Sequence, residues 1–136
     1  MFDTLKIIND TAAFNRWAGF EVTRAEKGEA ELRMHWRNEM GQYSGFLHAG
    51  MVAALLDTVC GFAAATVSGR VLASHFSVNC IAPAVGQVFI ASGKVVKAGR
   101  KQVFASGELY ADTDGKRKLV ATGNAILVPV ETSEIT

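Results

Sequence analysis

Residues 49–67 read AGMVAALLDTVCGFAAATV, and this segment decides the fold of the chain. It is apolar around its whole circumference, and Asp57 is its single charge. A helix that is apolar on every side is buried on every side when it belongs to a water-soluble protein. The segment therefore predicts one long central helix that the rest of the chain must cover.

A helix of this length would also reach across a membrane core, since 19 residues rise about 28 Å. Three features argue against a membrane span. Asp57 lies at its midpoint, no Lys or Arg flanks the segment directly, and most of the remaining chain is amphipathic strand that needs an apolar surface to cover. We therefore expect a core helix.

The N-terminal segment, residues 1–20, is predicted to form one short amphipathic helix. Leu5, Ile8, Ala12 and Trp17 recur at roughly helical spacing, and Gly19 is a plausible stop. The segment opens without a continuous apolar run, so no signal peptide is expected.

Alternating apolar and polar residues follow, which is the pattern of strands with one solvent-exposed face. Residues 29–37 alternate in this way and form a hairpin with the strand around Phe20 and Val22, through a turn at residues 26–28. Residues 38–45 are a polar loop. The C-terminal half predicts further strands, the last three joined by tight turns into an antiparallel meander, at residues 71–81, 87–98, 102–111 and 118–130.

These elements assemble into a single α+β domain over residues 1–136. One curved antiparallel sheet of five or six strands wraps around the long hydrophobic helix. One face of that helix still needs a partner subunit, so an oligomer is expected.

Composition narrows the function. Fourteen basic and thirteen acidic residues give a net charge of +1, which offers no general reason to bind nucleic acid or an anionic membrane. Cys60 and Cys80 are expected to be buried free thiols, which points to a reducing, cytoplasmic compartment. The three histidines and two cysteines have no metal-ligand spacing, and no cofactor is expected.

Asp57 is the first residue with a chemical reading. An unpaired carboxylate in apolar surroundings is costly, so Asp57 is either a structural acid, paired with a buried Arg or capping a neighbouring loop, or a catalytic group. As a catalyst it would act as a general base or a nucleophile, because partial burial raises the carboxyl pKa and makes it a stronger base.

The residues at the start of the helix suggest a second chemical role. A helix start presents backbone N–H groups without internal partners, and the small residues Ala49 and Gly50 would let a carbonyl oxygen approach them. This is the geometry of an oxyanion site for acyl transfer. Small residues also begin many helices that bind nothing, and His48 is as consistent with a structural hydrogen bond as with catalysis.

Taken together, Gln42, His48-Ala49-Gly50 and Asp57 resemble the central motif of the hotdog-fold thioesterases. In that family a Gln or Asn stands six residues before the His and an acid nine residues after it. The resemblance runs from about Trp17 to Pro129. It is strongest to the branch that contains the phenylacetate-pathway (PaaI-like) thioesterase, 4-hydroxybenzoyl-CoA thioesterase and acyl-CoA thioesterase 13.

The resemblance implies a role for each matching residue. The Ala49 N–H would polarise the thioester carbonyl, Gln42 would bind the carbonyl or the water, and His48 would position the loop or the thioester. Asp57 would reach in from the other subunit of a dimer and activate water or attack the carbonyl. The family also implies assembly of such dimers into a homotetramer.

Other residues are less clear. Some relatives carry a hydroxyl one turn after the acid, where this chain has Gly61, and others place a serine early on the strand after the helix, where the nearest residues here are Ala73 and Ser74. Thr58 and Ser74 are therefore candidates for positioning water, although for both we favour the interpretation as an ordinary surface or core hydroxyl. Phe62 is a candidate for lining the acyl pocket. Several basic residues lie near a predicted hairpin end, among them Lys97, Arg100 and Lys101. For these three we favour contact with the phosphates of CoA over the alternative, a solvated hairpin end.

The predicted function is hydrolysis of an aryl- or medium- to long-chain acyl-CoA to the free acid and CoA. A hotdog dehydratase is a rival enzyme, but its His and acid in a Pro-rich loop pattern are absent here. A rival of another class is a non-catalytic acyl-CoA-binding hotdog module. Release of free thiol, with Asp57→Asn as control, distinguishes the enzyme from the module.

Overall fold

The computed structural model describes residues 1–131 of the chain. Its sheet has six antiparallel strands: β1 (Glu21–Glu26), β2 (Glu29–His35), β3 (Val71–Cys80), β4 (Val88–Ala98), β5 (Val103–Thr113) and β6 (Lys116–Pro129). The strands lie in the order β1-β2-β4-β5-β6-β3. Three α-helices accompany them, α1 (Phe2–Thr11), α2 (Ala13–Ala18) and α3 (Ala49–Ser68), and two short 3-10 helices lie in the loop before α3. The predicted α+β hotdog fold, a curved sheet around one long helix, is confirmed.

Helix α3 extends one residue beyond its predicted end and packs on the inner face of the sheet. Its buried side includes Leu55, Leu56 and Val59, which join the main core. By length and composition alone this helix could cross a membrane, but its place is against all the strands of the sheet. Its opposite side remains half-buried along one stripe, at Asp57, Thr58, Gly61, Phe62 and Ala65.

Three glycines bring α3 close to the sheet. Gly93 pairs with Gly107, and Gly107 pairs with Gly123, so they form a row across β4, β5 and β6. A Cβ atom at Gly93 would lie 2.9 Å from the carbonyl oxygen of Val59. The helix backbone can approach the sheet this closely only because the row has no side chains.

The N-terminal segment differs from its prediction. It forms two helices rather than one, because Ala12 is extended (φ −80°, ψ 116°) and breaks the first. Gly19 does end the second, in a left-handed conformation. Trp17 is half exposed, while Asn9 is buried, so the predicted apolar face was partly wrong.

The two tight turns fall where the sequence placed them. Lys27 and Gly28 join β1 to β2 with φ of 50° and 80°, and Asp114 and Gly115 join β5 to β6 with φ of 53° and 83°. Positive φ at both central residues matches the right-handed twist of a two-residue hairpin. These turns fix the register of the sheet.

Strand β3 is an edge strand. It pairs with β6 on one side and with no other strand of the described chain on the other. All ten of its residues are at least partly exposed, including the apolar Leu72 and Phe76. A long, apolar, unpaired edge is a template for pairing with another chain.

Candidate active site

Asp57 faces a cavity of about 460 Å³. The cavity lies between α1, the half-buried stripe of α3 and the start of β3, and its lining includes Thr58, Phe62 and Ala73. Its volume lies within the range of small-molecule sites. Two predicted substrate-contact residues, Thr58 and Phe62, therefore lie in one cavity with the acid.

The Asp57 carboxylate has no ion pair or hydrogen bond with any residue between 1 and 131. No buried side-chain oxygen in that part of the chain lacks a partner. The carboxylate oxygens are therefore open to the cavity rather than sealed in the core. Burial nevertheless raises the pKa of Asp57 above its ordinary value of 3.8, because a half-buried charge loses hydration. A carboxylate whose pKa is raised is a stronger base towards a neighbouring water than an exposed carboxylate is.

The start of α3 forms a second group. The His48 Nδ1 accepts a hydrogen bond of 2.8 Å from the Gly50 N–H. The His48 carbonyl oxygen accepts from the N–H groups of Met51 and Val52. No acceptor for the Ala49 N–H lies among residues 1–131. His48 thus accepts hydrogen bonds from the next N–H groups of the helix. Within residues 1–131 the Ala49 N–H remains without an acceptor, and it lies at the positive end of the helix dipole.

A small hairpin holds Gln42 beside this donor. The Gln42 N–H donates to the Phe46 carbonyl oxygen at 2.8 Å, and the His48 N–H donates to Met40 at 3.0 Å. Gln42 and Ala49 line one cavity of about 380 Å³, together with Cys80 and Pro83. The cavity is therefore lined both by a residue with an amide side chain and by the residue with the free N–H, the two kinds of donor that oxyanion sites use.

The exposure of Cys80 differs from its prediction. Cys60 is buried as expected, but Cys80 is exposed on β3 and lines the Gln42 cavity. The apolar residues around Cys80 in the sequence led to the error, because β3 is an edge strand whose residues are all at least partly exposed.

The two groups are apart within one chain. Ala49 and Asp57 are separated by eight residues of α3, or roughly 12 Å along its axis, and they line different cavities. One thioester carbonyl cannot contact both in a single protomer.

Other predicted site residues lie elsewhere. Ser74 sits at a bulge of β3, where its hydroxyl donates to the Ile126 carbonyl oxygen at 3.3 Å, while Ala73 lines the Asp57 cavity. Lys97, Arg100 and Lys101 are exposed around the β4–β5 hairpin. They line neither of the two cavities. Within residues 1–131 no cluster of three potential metal ligands occurs.

Sequence reasoning missed the wall of the Asp57 cavity. Leu5, Ile8 and Thr11 of α1 line it, and so does Arg70. No sequence signal could have placed α1 there, because its position depends on contacts distant along the chain.

The fold and the site define a hotdog thioester hydrolase, with a helix-borne acid and an amide donor at the start of the same helix. The family model of the thioesterase superfamily matches residues 44–118, more than half of the chain. This chain therefore belongs to the thioesterase superfamily.

Solved structures of other proteins share this fold. A thioesterase family protein of Silicibacter pomeroyi is 32% identical, with 93% of this chain and 95% of that chain covered and a TM-score of 0.89. Zebrafish thioesterase superfamily member 2 is 25% identical, with coverage of 96% and 99% and a TM-score of 0.82. The E. coli PaaI protein of the phenylacetic acid degradation operon is 17% identical, with coverage of 95% and 92% and a TM-score of 0.87, a likeness of fold alone.

Proposed function

We propose that this protein hydrolyses an aryl- or medium- to long-chain acyl-CoA to the free acid and CoA at a site shared by two protomers. Asp57 of one protomer would activate water or attack the thioester carbon. The Ala49 N–H and the Gln42 amide of the other would hold the carbonyl oxygen as it gains negative charge. The family establishes thioester hydrolysis; the acyl-CoA substrate and the shared site are the proposal.

The observation that supports this proposal is the separation of Asp57 from the amide donors within one chain. The acid and the amide donors open into two separate cavities of one chain, roughly 12 Å apart along α3. The unpaired edge of β3 lies beside both cavities, since Ala73 lines one and Cys80 the other. Pairing of two β3 edges would bring a partner chain to each.

Charge supports CoA as the leaving group. Lys97, Arg100 and Lys101 are exposed and form no ion pair within residues 1–131. Such cations can contact phosphates at low cost, because they lose no existing partner. Replacing all three with Ala should raise KM and weaken the dependence of KM on salt. Lys116→Ala, at the opposite hairpin, is the control and should change neither.

Release of free thiol from a panel of acyl-CoAs tests the activity. Asp57→Asn keeps the shape of the side chain and removes its basicity, so turnover should fall about 10²–10⁴-fold. Asp114→Asn, in the exposed β5–β6 turn, should retain full turnover. Binding of acyl-CoA without turnover by the native chain would instead identify a non-catalytic module.

A further inference from the structure

The Asp57 cavity extends well beyond the acid itself. The half-buried stripe of α3 lines it from Asp57 to Ala65, and Arg70 follows past the end of the helix. Eight residues of α3 correspond to roughly 12 Å along the axis. The cavity is therefore a groove that runs parallel to α3 and starts at the acid.

Helix α1 forms the outer wall of this groove. Leu5, Ile8 and Thr11 line it, spaced three residues apart on one face of α1. Leu5 is fully buried, whereas Ile8 is 42% exposed and so faces the groove without belonging to the core. On the opposite side lie the aliphatic residues Val71, Leu72 and Leu127.

Side-chain hydrogen bonds attach this wall to the segments that follow it in the chain. The buried Asn9 donates a hydrogen bond of 2.7 Å to the Phe20 carbonyl oxygen and accepts one of 3.0 Å from Asn15. The Thr11 hydroxyl donates to the Ile8 carbonyl oxygen at 2.7 Å. Because a buried amide with satisfied partners resists displacement, these bonds anchor α1 to α2 and to the residue that precedes β1.

We propose that α1 determines which acyl groups this protein accepts, with Ile8 limiting the length and bulk of a straight-chain aliphatic acyl group that lies between α1 and α3. The inference rests on the proposed function. It concerns residues 2–11, which precede the residues 44–118 matched by the family model. The groove is mostly aliphatic and elongated, so a single aryl ring would fill only part of it.

The test compares two adjacent isoleucines of α1. Ile8 lines the groove, whereas Ile7 is 65% exposed and does not. kcat/KM is measured with straight-chain acyl-CoAs from butanoyl to hexadecanoyl and with benzoyl-CoA. Ile8→Trp should reduce kcat/KM for the longest accepted chains about tenfold or more relative to the shortest, as expected for a change of pocket size. Ile7→Trp should leave the chain-length profile unchanged.

Ile8→Ala provides the opposite change and avoids overpacking. It should extend turnover to longer or bulkier acyl groups, while Ile7→Ala should not. Thermal unfolding of all four variants confirms that they fold. Parallel chain-length profiles for the Ile8 and Ile7 variants would overturn the inference and leave the proposed function intact. Absence of thiol release by the native protein from every thioester would instead overturn the proposed function itself.

Discussion

Asp57 combines two properties that rarely occur together in a structural acid. It is half-buried, which raises its pKa, and it has no ion-pair partner within residues 1–131. The structural alternative required a buried Arg beside it or a loop N–H group for it to cap, and neither partner occurs among residues 1–131. A carboxylate kept unpaired next to a cavity costs stability and is typical of a functional site.

The rate of hydrolysis should depend on the protonation of Asp57. Only the ionised carboxylate can accept a proton or attack a carbonyl, so kcat/KM should fall at acid pH, with its midpoint above 3.8. A pH–rate profile between pH 4 and 8 checks this. A flat profile across that range would contradict the role of Asp57 as base or nucleophile.

Loss of activity in Asp57→Asn should come with a gain in stability. Because burial raises its pKa, the folded chain binds the Asp57 proton more tightly than the unfolded chain does. The stability from this group is full below the unfolded value of 3.8 and is lost as pH rises through the folded value. At pH 7 Asp57→Asn should therefore raise Tm, whereas Asp114→Asn should not. A lower Tm for Asp57→Asn would show that the carboxylate stabilises the fold.

Cys60 should be chemically inert in the native protein. It is 1% exposed, and burial, followed by the negative charge of Asp57, raises its pKa to about 12. Since only the thiolate reacts, Cys80→Ala protein should take up no iodoacetamide at pH 8 when folded. It should take up one equivalent when unfolded. Rapid labelling of the folded variant would reveal local opening of α3.

At the scale of elements, the packing of α3 on the sheet depends on the row of Gly93, Gly107 and Gly123. The row lies on three neighbouring strands and faces the middle of α3, where Leu56, Val59 and Cys60 make contact. The height of the helix above the sheet sets the position of Asp57. A change in the row should therefore act on both stability and the site.

Gly93→Ala tests this contact. Its Cβ would meet the Val59 carbonyl oxygen at 2.9 Å, and a backbone atom in a helix cannot move aside cheaply. The free energy of unfolding should decrease by about 1–3 kcal/mol, as for other overpacked cores. Ser92→Ala, on the exposed face of β4, should change it by less than about 0.5 kcal/mol. Denaturant unfolding measures both, and equal values would show that α3 adjusts freely.

At the scale of the whole molecule, the exposed edge of β3 and the divided site point to the same partner, a second copy of the chain. Phe76 faces α3 from β3, near Asp57, and is 45% exposed. Its burial against a second chain would remove apolar surface from water. Two sites would then form, each with one half from either protomer.

Mixed dimers test whether the site is shared. Asp57→Asn and Gln42→Ala each disable one half, so each variant alone should be nearly inactive. Refolded together in equal amounts, half of the dimers are hybrids, and each hybrid has one site with both native halves. The mixture should therefore regain roughly a quarter of native activity. A mixture as inactive as its components would show that both halves act within one chain.

Phe76→Asp should produce a folded, inactive monomer. A new charge beside Asp57 and on the β3 edge opposes the pairing of two edges. Phe104→Asp is the matched control, since Phe104 is 39% exposed on the outer face of the sheet. Size-exclusion chromatography should show a monomer for the first variant and a dimer or larger assembly for the second. A dimeric Phe76→Asp would contradict pairing through β3.

Predictions from the sequence were accurate where they depended on a local pattern and partly wrong where they depended on contacts distant along the chain. The bounds of α3 were off by one residue, because a continuous apolar run identifies a core helix without reference to its neighbours. The N-terminal face was partly wrong. Asn9 is buried because the Phe20 carbonyl oxygen satisfies it, and Trp17 stays outside, 5.0 Å beneath the Arg37 guanidinium. Neither partner is visible in the local pattern.

The sequence by itself determined the central helix, the strands, their tight turns and the motif from Gln42 to Asp57, since periodicity and spacing are local properties of the chain. Tertiary structure alone decided three further features. Among residues 1–131 it left one edge of β3 unpaired, it placed Ala49 and Asp57 in separate cavities, and it made α1 the wall of the Asp57 groove. Each depends on contacts between residues distant in sequence, and no local pattern of side chains encodes such contacts.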